Sequence, residues 1–126
     1  MPHCWQKNQR LLKRTEFQAC YNQGEKNFTK LFLVFVKKAP NARIGLAVSK
    51  KNGNAVHRNK IKRILREFFR LHFAKLLPYE FVVVPKKHVD ANTLQFVHVE
   101  KDLLAFLEKF NAKKNGNEQA SANFIL

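Results

Sequence analysis

Arg58, Asn59, Lys62, Arg63, Arg66 and Arg70 recur at spacings of three and four within the stretch SKKNGNAVHRNKIKRILREFFRLHF, Ser49 to Phe73. Wound as a helix at 3.6 residues per turn, they share one arc of roughly 140°. Groups of this kind do not break bonds. They hold phosphate oxygens through directed, charge-assisted donors and release the counterions of a polyanion. A helix face that merely meets water usually mixes signs and gains from acid–base pairs one turn apart. Here only Glu67 is acidic, and each like-charge pair at i,i+4 costs about 0.2–0.5 kcal/mol. A sequence that accepts such repulsion points to a polyanionic partner. On the opposite arc stand Ile61, Ile64, Leu65, Phe68, Leu71 and His72, a core face, with Phe69 and Phe73 at the edge of the basic arc.

The residues that could cut a bond are missing. The nine acids are scattered, whereas a two-metal nuclease needs clustered carboxylates. Histidines 3, 57, 72, 88 and 98 show no ligand spacing, and no phosphate-cradling glycine motif occurs. Cys4 and Cys20 have neither metal spacing nor an oxidising context, so both read as incidental thiols. The chain reads as a binder that holds no metal and no cofactor of its own.

The elements that must position the basic arc follow in order. Thr15 is a candidate N-cap for a short helix ending at Gly24, with Phe17, Cys20 and Tyr21 at helical spacing. KLFLVFVKK, Lys30 to Lys38, is a strand apolar on both faces, Leu31, Leu33 and Phe35 on one and Phe32, Val34 and Val36 on the other. Residues 25–29 can add an edge strand. RIGLAVS, Arg43 to Ser49, is the next strand, read as antiparallel to the first across a hairpin at Pro40-Asn41. Its Ile44, Leu46 and Val48 suit a core. Its other face, Arg43, Gly45, Ala47 and Ser49, either admits a closely packed helix or leaves room for something to lie on it. Asn52-Gly53 is a turn and Asn54 an N-cap, so the basic helix runs from about Ala55 to about Leu76, before Pro78. EFVVVP, Glu80 to Pro85, is a further strand and completes a βαβ unit. Val99 to Phe110 is a second amphipathic helix, and the polar stretch after Ala112 reads as a tail.

One domain is all that 126 residues support, and 45% hydrophobic residues exclude a disordered basic arm. A net charge of +15 points first to nucleic acid and second to an anionic membrane. No apolar run approaches the roughly 18 residues of a spanning helix. Without a signal peptide at its start, the sequence reads as cytoplasmic.

The run RIGLAVSKKNGNAVHRNKIKRILREFFR resembles the central signature of the bacterial ribonuclease P protein subunit: a strand ending in Ser-Lys-Lys, a Gly-x-Ala-Val turn, then an Arg-Asn-Arg-x-x-Lys-Arg-x-x-Arg-Glu helix. Lys60 departs from it, standing where arginine is commoner, which keeps the charge but gives up a guanidinium fork. LLKRTEFQACYNQG is similar to the family's opening, and the resemblance spans residues 10–110.

The resemblance implies an α+β fold: a single α-β-β-β-α-β-α domain at residues 10–112, with a central sheet and a left-handed βαβ crossover; outside it, residues 1–9 lack any periodic pattern and read as loose, and the polar stretch 113–126 reads as a disordered tail. It implies the small subunit of a ribonucleoprotein endonuclease that removes the 5′ leader of precursor transfer RNA, the catalytic Mg²⁺ being held by the RNA subunit. Lys51, Arg58, Asn59, Lys60, Lys62, Arg63 and Arg66 match the family's basic motif and are assigned to RNA, with Lys50 and Arg70 extending that surface. Phe17, Tyr21 and Phe35 match the aromatic positions of a leader cleft whose floor is Arg43, Gly45, Ala47 and Ser49. The expected partners are the ribonuclease P RNA and precursor transfer RNA, with neither DNA nor a membrane. The rivals are a ribosomal-type RNA-binding module, a helix-turn-helix DNA binder and an autonomous nuclease.

Overall fold

The computed structural model describes the backbone of residues 7–125 and the side chains of residues 8–115. The elements run α1 (Arg14–Gln23), β1 (Glu25–Phe28), β2 (Phe32–Lys38), β3 (Arg43–Leu46), α2 (Ala55–His72), β4 (Tyr79–Pro85) and α3 (Phe96–Ile125). This is the α-β-β-β-α-β-α order expected from the sequence. Residues 1–6 of the segment expected to be loose lie outside the described residues, and Lys7–Gln9 form a 3-10 turn. Helix α3 starts before Val99 and carries its backbone through most of the stretch read as a tail. No helix among the described residues is long and apolar enough to cross a membrane.

The four strands form one sheet in the order β1-β2-β4-β3. The hairpin expected between β2 and β3 does not form. Strand β4 lies between them, antiparallel to β2 and parallel to β3. The physical reason is burial. Phe81, Val82 and Val83 of β4 are apolar on both faces and take the middle of the sheet, where both faces are covered. Strand β3, with Arg43 and Gly45, goes to the edge. Residues Arg10 and Leu11 cover that edge, the Leu11 N–H donating to Ile44 O at 2.8 Å.

Each face of the sheet has its own apolar cluster. On one, Phe32, Val34, Val36, Ile44, Phe81 and Val83 meet Ile61, Ile64, Leu65, Phe68 and Phe69 of α2, and Val99, Leu103, Leu107 and Phe110 of α3. On the other, Leu11, Cys20, Phe35 and Val82 are covered by the ten-residue α1. Two side chains depart from the helical-wheel expectation. Phe69 is buried, while Leu71 is 48% exposed, because α3 packs beside α2 and turns Phe69 toward Leu103 and Leu107. Leu31 lies in the turn before β2 and joins the first cluster, not Leu33 and Phe35.

The ends of the helices are set locally. Asn54 Oδ1 accepts from the His57 N–H at 3.0 Å, the cap expected for α2. Helix α2 ends at His72, and a 3-10 turn, Phe73–Lys75, completes the approach to Pro78. At α1 the N-cap is Lys13 and not Thr15, because the Glu16 carboxylate reaches back to the Leu12 and Lys13 N–H groups, both at 3.0 Å.

Candidate nucleic-acid interface

Helix α2 lays its apolar stripe on the sheet and turns its basic arc outward. Asn59, Arg63 and Arg66 are exposed, and Arg58 and Lys62 half-buried. Among the described residues, none of the four cations Arg58, Lys62, Arg63 and Arg66 pairs with a carboxylate. Two neighbours differ. Arg70 forks onto Glu67 at 2.5 and 3.1 Å, and that bond holds the Glu67 carboxyl below its ordinary range. The single acid of the arc is thereby neutralised within the helix. Lys60 turns away, its Nζ donating to Ala91 O at 2.5 Å. The position where the lysine replaces a commoner arginine thus ties α2 to the segment before α3.

Lys50 and Lys51 sit in a 3-10 turn, Lys50–Asn52, between β3 and α2, and both are exposed. The turn is fixed at three points. Ser49 Oγ accepts from the Lys51 N–H at 3.3 Å. Asn52, a buried polar side chain, donates from Nδ2 to Lys86 O at 3.1 Å. Gly53 has φ +112°, in the region L side chains rarely adopt, and a Cβ there would also meet the His57 ring.

On the other face of the sheet, α1 holds Phe17 and Tyr21 over β2, β4 and the end of β3. The Phe17 ring lies so close to the backbone of Gly45 that a Cβ there would stand 2.7 Å from Phe17 Cε1. The small face of β3 therefore admits this ring. Tyr21, 38% exposed, meets Phe35 edge-on with ring centroids 4.8 Å apart. Phe35 itself is buried, with Lys26 Nζ 5.9 Å from its centroid. Beyond Phe17 the short helix leaves Leu33, Ala47 and Val84 only partly covered. The result is an apolar shelf on the face opposite α2, with Ser49 and the Lys50–Asn52 turn following Ala47 along the chain.

Arg43 is spent on structure. Its Nη2 lies 2.6 Å from Glu16 Oε2 and donates to Arg10 O at 3.1 Å, while Nη1 lies 3.2 Å from Glu80 Oε2. It braces the start of α1 against the sheet. The Lys13 N–H bond, with those of Leu12 and Arg43, holds the Glu16 carboxyl down to about 2. Burial pushes the Cys20 thiol up to about 11, with the Glu80 carboxylate adding to the effect, so the thiol is inert. Among the described residues no three His, Cys, Asp or Glu side chains gather as a metal site.

The structure thus offers an outward basic face on α2 and an exposed lysine turn before it, and, on the opposite side of the sheet, an apolar shelf under α1. The sequence model of the Ribonuclease P family matches residues 5–111, most of the chain. The chain belongs to the ribonuclease P protein family. The ribonuclease P protein component of Maridesulfovibrio salexigens is 40% identical over 119 residues, covering 90% of this chain and 96% of the relative. That of Desulfovibrio desulfuricans is 45% identical over 105 residues, covering 79% and 81%. Among solved structures, the Staphylococcus aureus RNase P protein superposes with a TM-score of 0.71 at 32% identity, over 79% of this chain and 93% of that one. The Thermotoga maritima RNase P protein gives 0.72 at 30% identity, over 79% and 96%. As a ribonuclease P protein component, the chain is the non-catalytic subunit of an endoribonuclease holoenzyme.

Of the residues singled out from the sequence of this ribonuclease P protein, Lys50, Lys51, Asn59, Arg63 and Arg66 are exposed and Arg58 and Lys62 half-buried, on α2 and the turn before it. Lys60, Arg70 and Arg43 have partners within the chain. Phe17, Tyr21, Ala47 and Ser49 line the shelf, and Phe35 supports it from beneath. Three contributors were missed. Leu33 and Val84 face each other in register, and strand alternation with Phe35 and Val82 was the signal that could have found them. Asn52 gave no such signal, because its acceptor, Lys86 O, lies 34 residues away, just past the end of β4.

Proposed function

We propose that the chain binds the catalytic RNA of ribonuclease P through the α2 arc and the Lys50–Lys51 turn, and takes the 5′ leader of precursor transfer RNA on the shelf under α1. The observation that carries this reading is four cations on α2 without a carboxylate partner together with an apolar shelf under α1 that the chain leaves partly uncovered. Polyanion and single strand are each matched by one surface. Arg58, Lys62, Arg63 and Arg66 exchange counterions for RNA phosphates. Bases of the leader stack on Phe17 and Tyr21, worth about 1–3 kcal/mol each. The shelf reads no sequence by itself, since every base has a face to stack. Bond breaking, with its Mg²⁺, belongs to the RNA, and the protein contributes grip.

The experiment is reconstitution. Added to a bacterial ribonuclease P RNA at low Mg²⁺, the protein should stimulate 5′ cleavage of precursor transfer RNA. A protein that bound the RNA without changing cleavage would be a ribosomal-type module instead. In the same assay Arg58→Ala with Arg63→Ala should flatten the slope of log affinity against log salt by about 1.8, since two phosphates would no longer be neutralised by the protein. An unchanged slope would remove the basic arc from the RNA interface.

A further inference from the structure

A second groove lies beside β1, at the sheet edge opposite β3 and on the face covered by α3. It encloses about 690 Å³ between the β1–β2 turn and α3. Its walls are Phe28, Phe106 and Ala105, with Lys30, Lys101 and Lys109 along the rim. Phe28 is 70% exposed, the most exposed aromatic ring among the described residues. Lys86 Nζ stands 5.8 Å from its centroid. An apolar ring so open, on an edge strand, contributes little to the core.

The groove is built in advance of any ligand. Asp102, the acid in its lining, is fully engaged: Oδ2 accepts from Thr29 Oγ1 at 2.6 Å and from the Leu31 N–H at 3.0 Å, and Oδ1 from the Lys30 N–H at 3.0 Å. These bonds pin the turn to α3. Lys86 Nζ also donates to Thr29 O. Lys101, Ala105 and Lys109 follow one another at i,i+4 on α3, so the two ammonium groups flank an apolar step about 12 Å long. Neither Lys101, Lys109 nor Lys30 pairs with a carboxylate among the described residues. A row of unpaired cations beside an open ring fits a ligand with both phosphates and flat faces. An acidic peptide would satisfy the lysines but offer nothing flat to Phe28.

We infer that this groove seats a second single-stranded RNA segment, its phosphates along Lys101 and Lys109 and a base on Phe28. The seat shares no residue with the α2 arc or the shelf under α1, and it stands or falls independently of them. The test places a photoreactive benzophenone at position 28, as Phe28→p-benzoylphenylalanine in the full chain. The probe is a labelled oligouridylate about ten nucleotides long, within the span such sites occupy. It should crosslink at position 28, and Lys101→Ala with Lys109→Ala should lower the yield at least five-fold at moderate salt. Because these side chains are exposed, the variants should keep the parent's thermal midpoint. No crosslink, or a yield indifferent to the lysine changes, would overturn the inference. So would displacement of the oligouridylate by oligoglutamate at equal charge, which would make the groove a seat for acidic peptide.

Discussion

The two faces of the sheet are covered unequally. Helices α2 and α3 close the middle of one face, burying Phe32, Phe68 and Phe81 at or near zero exposure. Helix α1, only ten residues long, covers the other and leaves Leu33, Ala47 and Val84 in partial contact with solvent. The difference separates stability from binding. A closed face gains the full transfer energy of its side chains, about 1.5–3 kcal/mol each. An open face forgoes part of that energy and keeps apolar area for a ligand.

The largest test of the contrast is Phe68→Ala. It should cost about 3–5 kcal/mol in urea unfolding, because it leaves a cavity under two helices. Phe17→Ala on the open face should cost clearly less while lowering the preference for precursor over mature transfer RNA. If the two costs were equal, the shelf would be ordinary core. Next comes Arg43→Ala, which strips Glu16 and Glu80 of their shared partner. We expect a loss of about 1.5–3 kcal/mol, the worth of hydrogen bonds to charged groups, and a shelf deformed at the start of α1. Gly45→Ala sharpens the comparison further. Its methyl group must displace the Phe17 ring, an overpacking cost of about 1–3 kcal/mol, and the open face should lose leader binding with it. The smallest effect is acid sensitivity. Glu16 has a folded pKa of about 2 against an ordinary 4.5, so its contribution is full above pH 4.5 and fades as pH falls toward 2. Glu16→Gln should flatten that limb of an acid titration followed by circular dichroism.

Much of this was legible in the chain. The α2 wheel gave its buried stripe through Ile61, Ile64, Leu65 and Phe68, and Asn54 gave its start. The two-faced strand at Phe32 to Val36 announced that both sides of the sheet are covered. Pairing was not legible: nothing local to Arg43–Leu46 says that its neighbour is Phe81–Val83 and not Phe32–Val36, because a strand carries its periodicity but not its partner. For the same reason charge type was readable at Lys60 and Arg43, but charge availability was not. Lys60 and Arg43 are engaged by Ala91 O and by Glu16 and Glu80, whose approach depends on packing, whereas the Arg70–Glu67 pair is an i,i+3 neighbour on one helix that the sequence does offer. The left-over cations could be identified only after those pairings were known.

Asn52 has a consequence that extends past its own hydrogen bond. By fastening the Lys50–Asn52 turn to the end of β4, it welds the platform under α1 to the root of α2. If the RNA subunit and the leader bind at those places as proposed, this turn sets the distance between them, as the jaws of a caliper do.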